Sequence, residues 1–186
     1  MRRNIVILGA VLIALAAIVA FNWPGQDRKG EEVKASAGSS QAMETAPKQG
    51  ALAPSFELAS IDGATNYKVG GKRDKALIIN FWASWCGPCD MEAPDLIKLY
   101  DKYKDRLDLY AVNETKYDTV RGAKDFVKEK ELTFPVLMDK TGKVGDDYKV
   151  YSYPISFIVD RDGVVRHRIE GVQPIADWEN MLKDVL

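Results

Sequence analysis

An α/β domain with a central mixed sheet and helices on both faces is the architecture this sequence predicts, on three observations. Beyond Ala51, strand-like and helix-like patterns alternate along the chain, the order of a sheet covered by helices. "ALIINFW", Ala76 to Trp82, is an unbroken apolar run of the kind found in a strand covered on both faces. The last two strand patterns, "ISFIV" and "VVRHRI", are separated only by "DRDG", which makes a closing hairpin.

Taken from its start, the chain opens "MRRN" and runs from Ile5 to Phe21 without a charged or amide side chain. As a helix that run spans about 25 Å, and Asn4, Asn22 and Trp23 at its edges match the headgroup level of a hydrocarbon core about 30 Å thick. A cleaved signal peptide shares the basic start and apolar middle, but a small-x-small site follows it at once. "AIVAFNWPG" offers no good site, the "ASA" at Ala35 to Ala37 lies too far downstream, and no cysteine is present for lipidation. Residues 1–23 therefore read as an uncleaved signal-anchor, a single transmembrane helix, in preference to a cleaved signal. Arg2 and Arg3 favour a cytoplasmic amino terminus, a bias that Arg28 and Lys29 weaken. The bulk of the protein is then expected outside the cytoplasm, at the cell membrane. Residues 24–50 hold no aromatic side chain and are dominated by Gly, Ser, Ala, Gln, Lys and Glu. Such a segment buries too little apolar area to offset its ordering entropy, so it reads as a flexible linker with a reach of roughly 30 Å.

Residues 51–186 are expected to form the domain. "SFELASIDGATNYKV" reads as a hairpin around Asp62-Gly63. After the buried strand, Leu96, Leu99, Tyr100 and Tyr103 recur at helical spacing. Next come a strand near Leu107 to Asn113, a helix carrying Val120, Ala123, Phe126 and Val127, and a short strand "FPVLM". Beyond the closing hairpin, Trp178, Met181, Leu182 and Val185 form the stripe of a terminal helix. The length of 186 residues suits one globular unit with an appendage, and no internal repeat is present.

A net charge of −1, of mixed sign and without a basic stripe, excludes a nucleic-acid surface. Both cysteines, Cys86 and Cys89, fall in "INFWASWCGPCDMEAP", between the buried strand and the helix. So close a pair cannot staple a long loop, which points to a chemical role. The chain must turn at Cys86, and Gly87 and Pro88 suit a helix beginning there, since proline is pre-organised for a first turn. Unpaired backbone N–H groups and the positive end of the helix dipole then favour the Cys86 thiolate, lowering its pKa below the free value of about 8.5. Cys86 is the expected nucleophile. Cys89, within the first turn, can attack a mixed disulfide on Cys86 and release the substrate reduced, so it is the expected resolving thiol. CxxC alone would also fit half a zinc site, but zinc needs two further N or S ligands. The chain supplies one histidine, His167, and no other cysteine. His167 shares a strand face with Val165 and Ile169 and reads as a half-buried sheet residue. No metal is expected.

"FWASWCGPC" resembles the active site of thioredoxin-fold proteins, with strand, Trp-Cys-Gly-Pro-Cys and helix in the family's order. "APSFELASIDG" and "CDMEAP" resemble the membrane-tethered TlpA/ResA-like branch, and the likeness covers residues 51–186. It implies a thioredoxin fold with an added N-terminal β-hairpin behind an N-terminal transmembrane helix. It implies an extracytoplasmic thiol-disulfide oxidoreductase whose only redox group is the Cys86–Cys89 disulfide, with no other cofactor. Members of the branch are kept reduced by a membrane thiol electron donor. They reduce exported protein substrates, often apocytochrome c before haem attachment. A monomer is expected.

The resemblance extends to single positions. "SYPISFIVDRDG" looks like the family's cis-proline segment, which implies that Tyr153-Pro154 is the cis bond opposite the active site and that the Tyr153 main chain docks substrate. Such a bond is disfavoured by only about 0.5–1 kcal/mol. An ordinary trans proline is the alternative reading, and Phe134-Pro135 competes for the cis role. Pro94 matches the family's kinked active-site helix, where it removes a ladder bond to the Asp90 carbonyl. Asn80 stands where thioredoxin has a buried aspartate that helps take the proton from the second cysteine. Glu92 matches a glutamate that the branch places beside its cysteines, and the implied role is to accept the Cys89 proton with a pKa raised by burial. Read by itself, a glutamate there is a solvated helix residue. Glu114, at a strand end, is a second candidate. Ile155 and Ser156 replace the threonines common after the cis-proline, which implies an altered substrate preference. Phe81, Trp82 and Trp85 read as wall and core, with Trp85 also placed to shield Cys86 or contact substrate.

A disulfide reductase is the leading function. An oxidase or isomerase comes second, because the Gly-Pro pair resembles reducing thioredoxins at roughly −270 mV rather than a strong oxidant at about −120 mV. A metal carrier on the same fold needs CxxxC and a well-placed histidine. A peroxiredoxin shares the "APSFEL" opening, but its cysteine lies in a Pro-x-x-x-Thr/Ser-x-x-Cys context that "FWASWCGPC" does not fit.

Overall fold

The computed structural model describes residues 43–186; the expected anchor, residues 1–23, and most of the expected linker lie outside the described residues. The frame is built on β3, Ala76–Trp82, in which every position is buried. Side chains of a strand alternate between faces. Ala76, Ile78 and Trp82 therefore enter one core, and Leu77, Ile79 and Phe81 enter another. This double burial is why the run is apolar throughout.

Beside β3 on one edge lies β4, Leu107–Asn113, in parallel register from Ala76 opposite Leu107 to Trp82 opposite Asn113. β5, Val136–Met138, continues parallel beyond it. On the other edge β6, Ile155–Val159, runs antiparallel to β3, and β7, Val165–Glu170, runs antiparallel to β6. The sheet order is β5-β4-β3-β6-β7, a mixed sheet with β3 at its centre.

Helices α1, Gly87–Tyr103, α2, Val120–Glu129, and α4, Ile175–Leu182, cover the face of Ile78 and Trp82. They deliver Ala93, Leu96 and Leu99, then Ala123 and Phe126, then Trp178 and Leu182. The opposite face is covered by Val144 of the short α3, Lys143–Asp147, and by Tyr148, whose ring contacts Phe56, Phe81 and Phe157. Part of this cover is a two-stranded hairpin, β1, Phe56–Ala59, and β2, Asn66–Val69, paired antiparallel. Its turn uses Gly63 at φ +72°, and Asp62 Oδ1 accepts hydrogen bonds from Ser60 Oγ and the Ala64 N–H. A positive φ there favours glycine.

Four details depart from the sequence pattern. Helix α3 was not anticipated, because five residues are too few to show a helical period. Val120 is exposed although it fits the α2 stripe, and Val185 is buried although it lies beyond the end of α4. Residues 44–50, expected as the end of the linker, are held to the domain. Leu52 N–H donates to the Glu44 carbonyl, Ala46 N–H to the Leu52 carbonyl, and Gly50 N–H to the Val165 carbonyl of β7. Main-chain bonding to the domain thus reaches back to Glu44, ahead of Ala51. Composition does not reveal this, because the bonds are main-chain ones to a distant strand. No helix among the described residues is long and apolar enough to cross a membrane.

Candidate active site

Where β3 ends, the chain turns and α1 begins. Cys86 is the N-cap of α1, in extended conformation, and its Sγ accepts from the Cys89 N–H at 3.1 Å. Gly87 and Pro88 occupy the first helical positions, as a helix start favours. Cys86 and Cys89 form a disulfide with their Cα atoms 5.3 Å apart, and each is only 5% exposed. The sulfur pair therefore stands at the positive end of a 17-residue helix, an environment that favours a thiolate on Cys86 once the bond is reduced. Pro94 lies inside the helix and cannot donate to the Asp90 carbonyl.

One turn beyond Cys89, Glu92 is 2% exposed, on the inner face of α1. Asn80 of β3 donates through Nδ2 to Glu92 Oε2 at 3.0 Å and to Ser156 Oγ of β6 at 2.9 Å. The other Glu92 oxygen has no partner among the described residues. Burial pushes the carboxyl up to about 7, against the lowering effect of the Asn80 hydrogen bond and with a small addition from Asp95. A group titrating there can take up and return a proton near neutral pH. Ser156 and Ile155 are themselves buried, with Ser156 bound into this network.

A second cluster faces the cysteine turn. The Tyr153–Pro154 bond is cis, and Phe134–Pro135 is not. Trp85, 63% exposed, sets its ring edge-on to Tyr153 with centroids 5.6 Å apart, and its indole N–H donates to the Tyr117 carbonyl at 2.9 Å. Trp85 is thus wall and surface at once, whereas Phe81 and Trp82 are core. The Tyr153 hydroxyl donates to Glu114 Oε2 at 2.5 Å. Burial raises the Glu114 carboxyl above its usual range, although the Tyr153 bond opposes this. Trp85, Tyr153, Glu114, Tyr117, Val150 and Tyr151 enclose a cleft of ≈ 360 Å³. A larger groove of ≈ 580 Å³ runs along the hairpin from Thr45 to Gly71 and contains none of these groups.

The structure brings Cys86, Cys89 and Glu92 together at α1, and Trp85, beside Cys86, packs its ring against Tyr153 of the cis Tyr153–Pro154 bond. His167 lies half-buried in β7, apart from both. Among the described residues no group of three or more His, Cys, Asp or Glu side chains is placed to hold a metal ion. Sequence reasoning missed Asp118. Its carboxylate accepts from the Ser84 N–H and Oγ, both at 2.6 Å, from Asn113 Nδ2 at 2.7 Å and from the Thr119 N–H at 2.7 Å. The available signal was topological: "NETKYDT" follows the carboxyl end of the strand beside β3, where open α/β sheets place their sites.

The chain is similar to known proteins in sequence and in fold. The model of the AhpC/TSA family matches residues 49–168. Over 137 residues the chain is 35% identical to the thiol-disulfide oxidoreductase ResA of Bacillus thuringiensis subsp. konkukian, covering 73% of this chain and 78% of the relative. Among solved structures, one described as a thiol:disulfide interchange protein DsbE from Chlorobium tepidum superposes with a TM-score of 0.68 at 30% identity, over 74% of this chain and 97% of that one. StoA from Bacillus subtilis gives 0.61 at 27% identity, over 69% and 96%.

Proposed function

The chain belongs to the AhpC/TSA family and is a thiol-disulfide oxidoreductase of the ResA type, and on that premise we propose that it reduces disulfides of exported proteins. The observation that carries this reading is the disulfide at the start of α1 with a buried carboxyl of pKa about 7 one turn beyond it. In the reduced protein the Cys86 thiolate attacks one sulfur of a client disulfide. The client's other sulfur leaves as a thiolate and a mixed disulfide forms on Cys86. Glu92 takes the proton of Cys89, and the Cys89 thiolate attacks Cys86 Sγ. Glu92 gives its proton up again and solvent supplies the second, so the client leaves as a dithiol and the protein is left as the Cys86–Cys89 disulfide. Two electrons have moved to the client, and a membrane thiol donor restores them.

Docking is assigned to Trp85, Tyr153 and Pro154. The N–H and C=O of Tyr153 take no part in the hydrogen bonds among the described residues, which leaves them free for an extended client backbone. Residues 1–23 are proposed as the uncleaved membrane anchor and the stretch after them as the tether, which puts the site on the extracytoplasmic side. Apocytochrome c is one client class consistent with that position, and the protein is proposed to work as a monomer.

The test is a trap. With Cys89→Ser, mixed disulfides on Cys86 cannot resolve, so adducts isolated from native membranes under non-reducing conditions can be identified by mass. A few discrete exported clients are expected. No adduct through Cys86 refutes the reading, and a midpoint potential above about −200 mV turns the direction from reductase to oxidase.

A further inference from the structure

We infer that Glu114 is a positioning residue: through Tyr153 it sets where the client-docking segment stands relative to the Cys86 turn. The inference rests on the reductase reading above and deepens it. The short segment from Asn113 to Thr119 is bonded to both halves of the site. Toward the cysteine turn, the Glu114 N–H donates to the Trp82 carbonyl at 3.1 Å, Asp118 accepts from Ser84, and the Tyr117 carbonyl accepts from the Trp85 indole. Toward the docking segment it makes one polar side-chain bond, from the Tyr153 hydroxyl to Glu114. The Tyr153 main chain, like that of Tyr151 and Ser152 before it, makes no hydrogen bond among the described residues.

Glu114 is held in place from a third side. A Cβ at Gly145 would lie 1.2 Å from Glu114 Oε1, so the carboxyl fills the space that any side chain at position 145 would need. Gly145 sits in α3 without a positive φ, and turn geometry therefore does not explain the glycine. Room for the Glu114 carboxyl does. Nor does stability explain the glutamate. Glu114 Oε1 is buried without a partner among the described residues, and such an atom costs folding energy rather than supplying it. Proton transfer to Cys89 does not explain it either, since Glu92 lies one turn from Cys89 while Glu114 is engaged by Tyr153.

The test uses full-length, pre-reduced protein and two oxidants. Insulin carries its disulfides in a polypeptide, whereas 5,5′-dithiobis(2-nitrobenzoate) has no peptide backbone to dock. Glu114→Ala is expected to slow insulin reduction about tenfold and the small disulfide less than about twofold, as loss of one hydrogen bond to a carboxyl predicts. Glu114→Gln, whose amide oxygen still accepts from Tyr153, is expected to restore the insulin rate to within about twofold of wild type. Gly145→Ala leaves both partners intact but displaces the carboxyl, and is expected to reproduce the insulin defect. Equal losses toward both oxidants, an unchanged insulin rate in Glu114→Ala or Gly145→Ala, or a Glu114→Gln protein as slow as Glu114→Ala would each overturn the inference. Wild-type protein that reduces neither oxidant refutes the reductase reading and the inference with it.

Discussion

Glu92 is a carboxyl held in the core one turn beyond Cys89. Its folded pKa of about 7 lies above the unfolded value of 4.5, and burial is the main cause. A raised folded value means that the folded chain binds the proton more tightly. The stabilising contribution is complete below pH 4.5 and is lost as pH rises through about 7. Wild-type stability is expected to fall by roughly 3 kcal/mol more than that of Glu92→Gln across this window. Urea unfolding of the oxidised proteins at several pH values measures the difference. Kinetics give the complementary readout. Below about pH 7, resolution of the mixed disulfide in wild type is expected to slow as Glu92 protonates. Glu92→Gln is expected to lack that inflection, and a variant with the wild-type pH profile refutes the proton-transfer role.

At the scale of elements, the turn between β3 and α1 is fixed from outside as well as by its own helix cap. Asp118 sits after β4, and its carboxylate receives Ser84, Asn113 and Thr119. Burial pushes this carboxyl upward, but the hydrogen bonds from Ser84, Asn113 and Thr119 together outweigh it, and the pKa lies below the usual value. The stabilisation is therefore present above the unfolded value of 3.8 and is lost as pH falls through the lower folded one. Asp118→Ala is expected to destabilise the domain by about 2–3 kcal/mol, because Ser84 and Asn113 donors lose their acceptor where they are partly buried. Thermal unfolding checks the size. Repeating it under acid checks the cause: the gap between variant and wild type should close as Asp118 protonates. A gap that persists unchanged under acid would mean that packing, not the charged acceptor, held the turn.

For the whole molecule, the sheet order puts the C-terminal ends of β3 and β4 together, so the Cys86 turn and the Asn113–Thr119 segment emerge side by side. The N-terminal end of antiparallel β6 comes to the same edge and brings Tyr153 and Pro154 with it. Three segments far apart in sequence thus meet at one rim. The proposed anchor, residues 1–23, would set where that rim works. If residues 1–23 anchor the chain, full-length protein is expected to stay with carbonate-washed membranes, and deletion of residues 1–23 is expected to release active protein. Intact mass of the membrane-bound form tests whether the segment is retained. A chain that starts at Gly38, after the Ala35–Ala37 site, would show cleavage instead.

Much of this was legible in the one-dimensional pattern. The apolar run of β3, the helix start marked by Gly87 and Pro88, and the closing hairpin all follow from local chemistry acting on neighbours in sequence. So did the pairing of Cys86 with Cys89, because three residues of helix suffice to bring them together. Local chemistry does not extend across the chain. It left Glu92 ambiguous between solvent and core, and only packing of α1 against β3, where Asn80 donates to the carboxyl, buried it. It offered no sign that residues 44–50 dock on β7 or that Asp118 holds Ser84, since both depend on partners more than 30 positions away. Nor did it pair Glu114 with Tyr153 or account for Gly145. By itself the sequence determined the class of chemistry and the elements that present it. The tertiary structure alone decided the environment of each group, because burial and hydrogen-bond partners are set by contacts between strands and helices that the chain order does not specify.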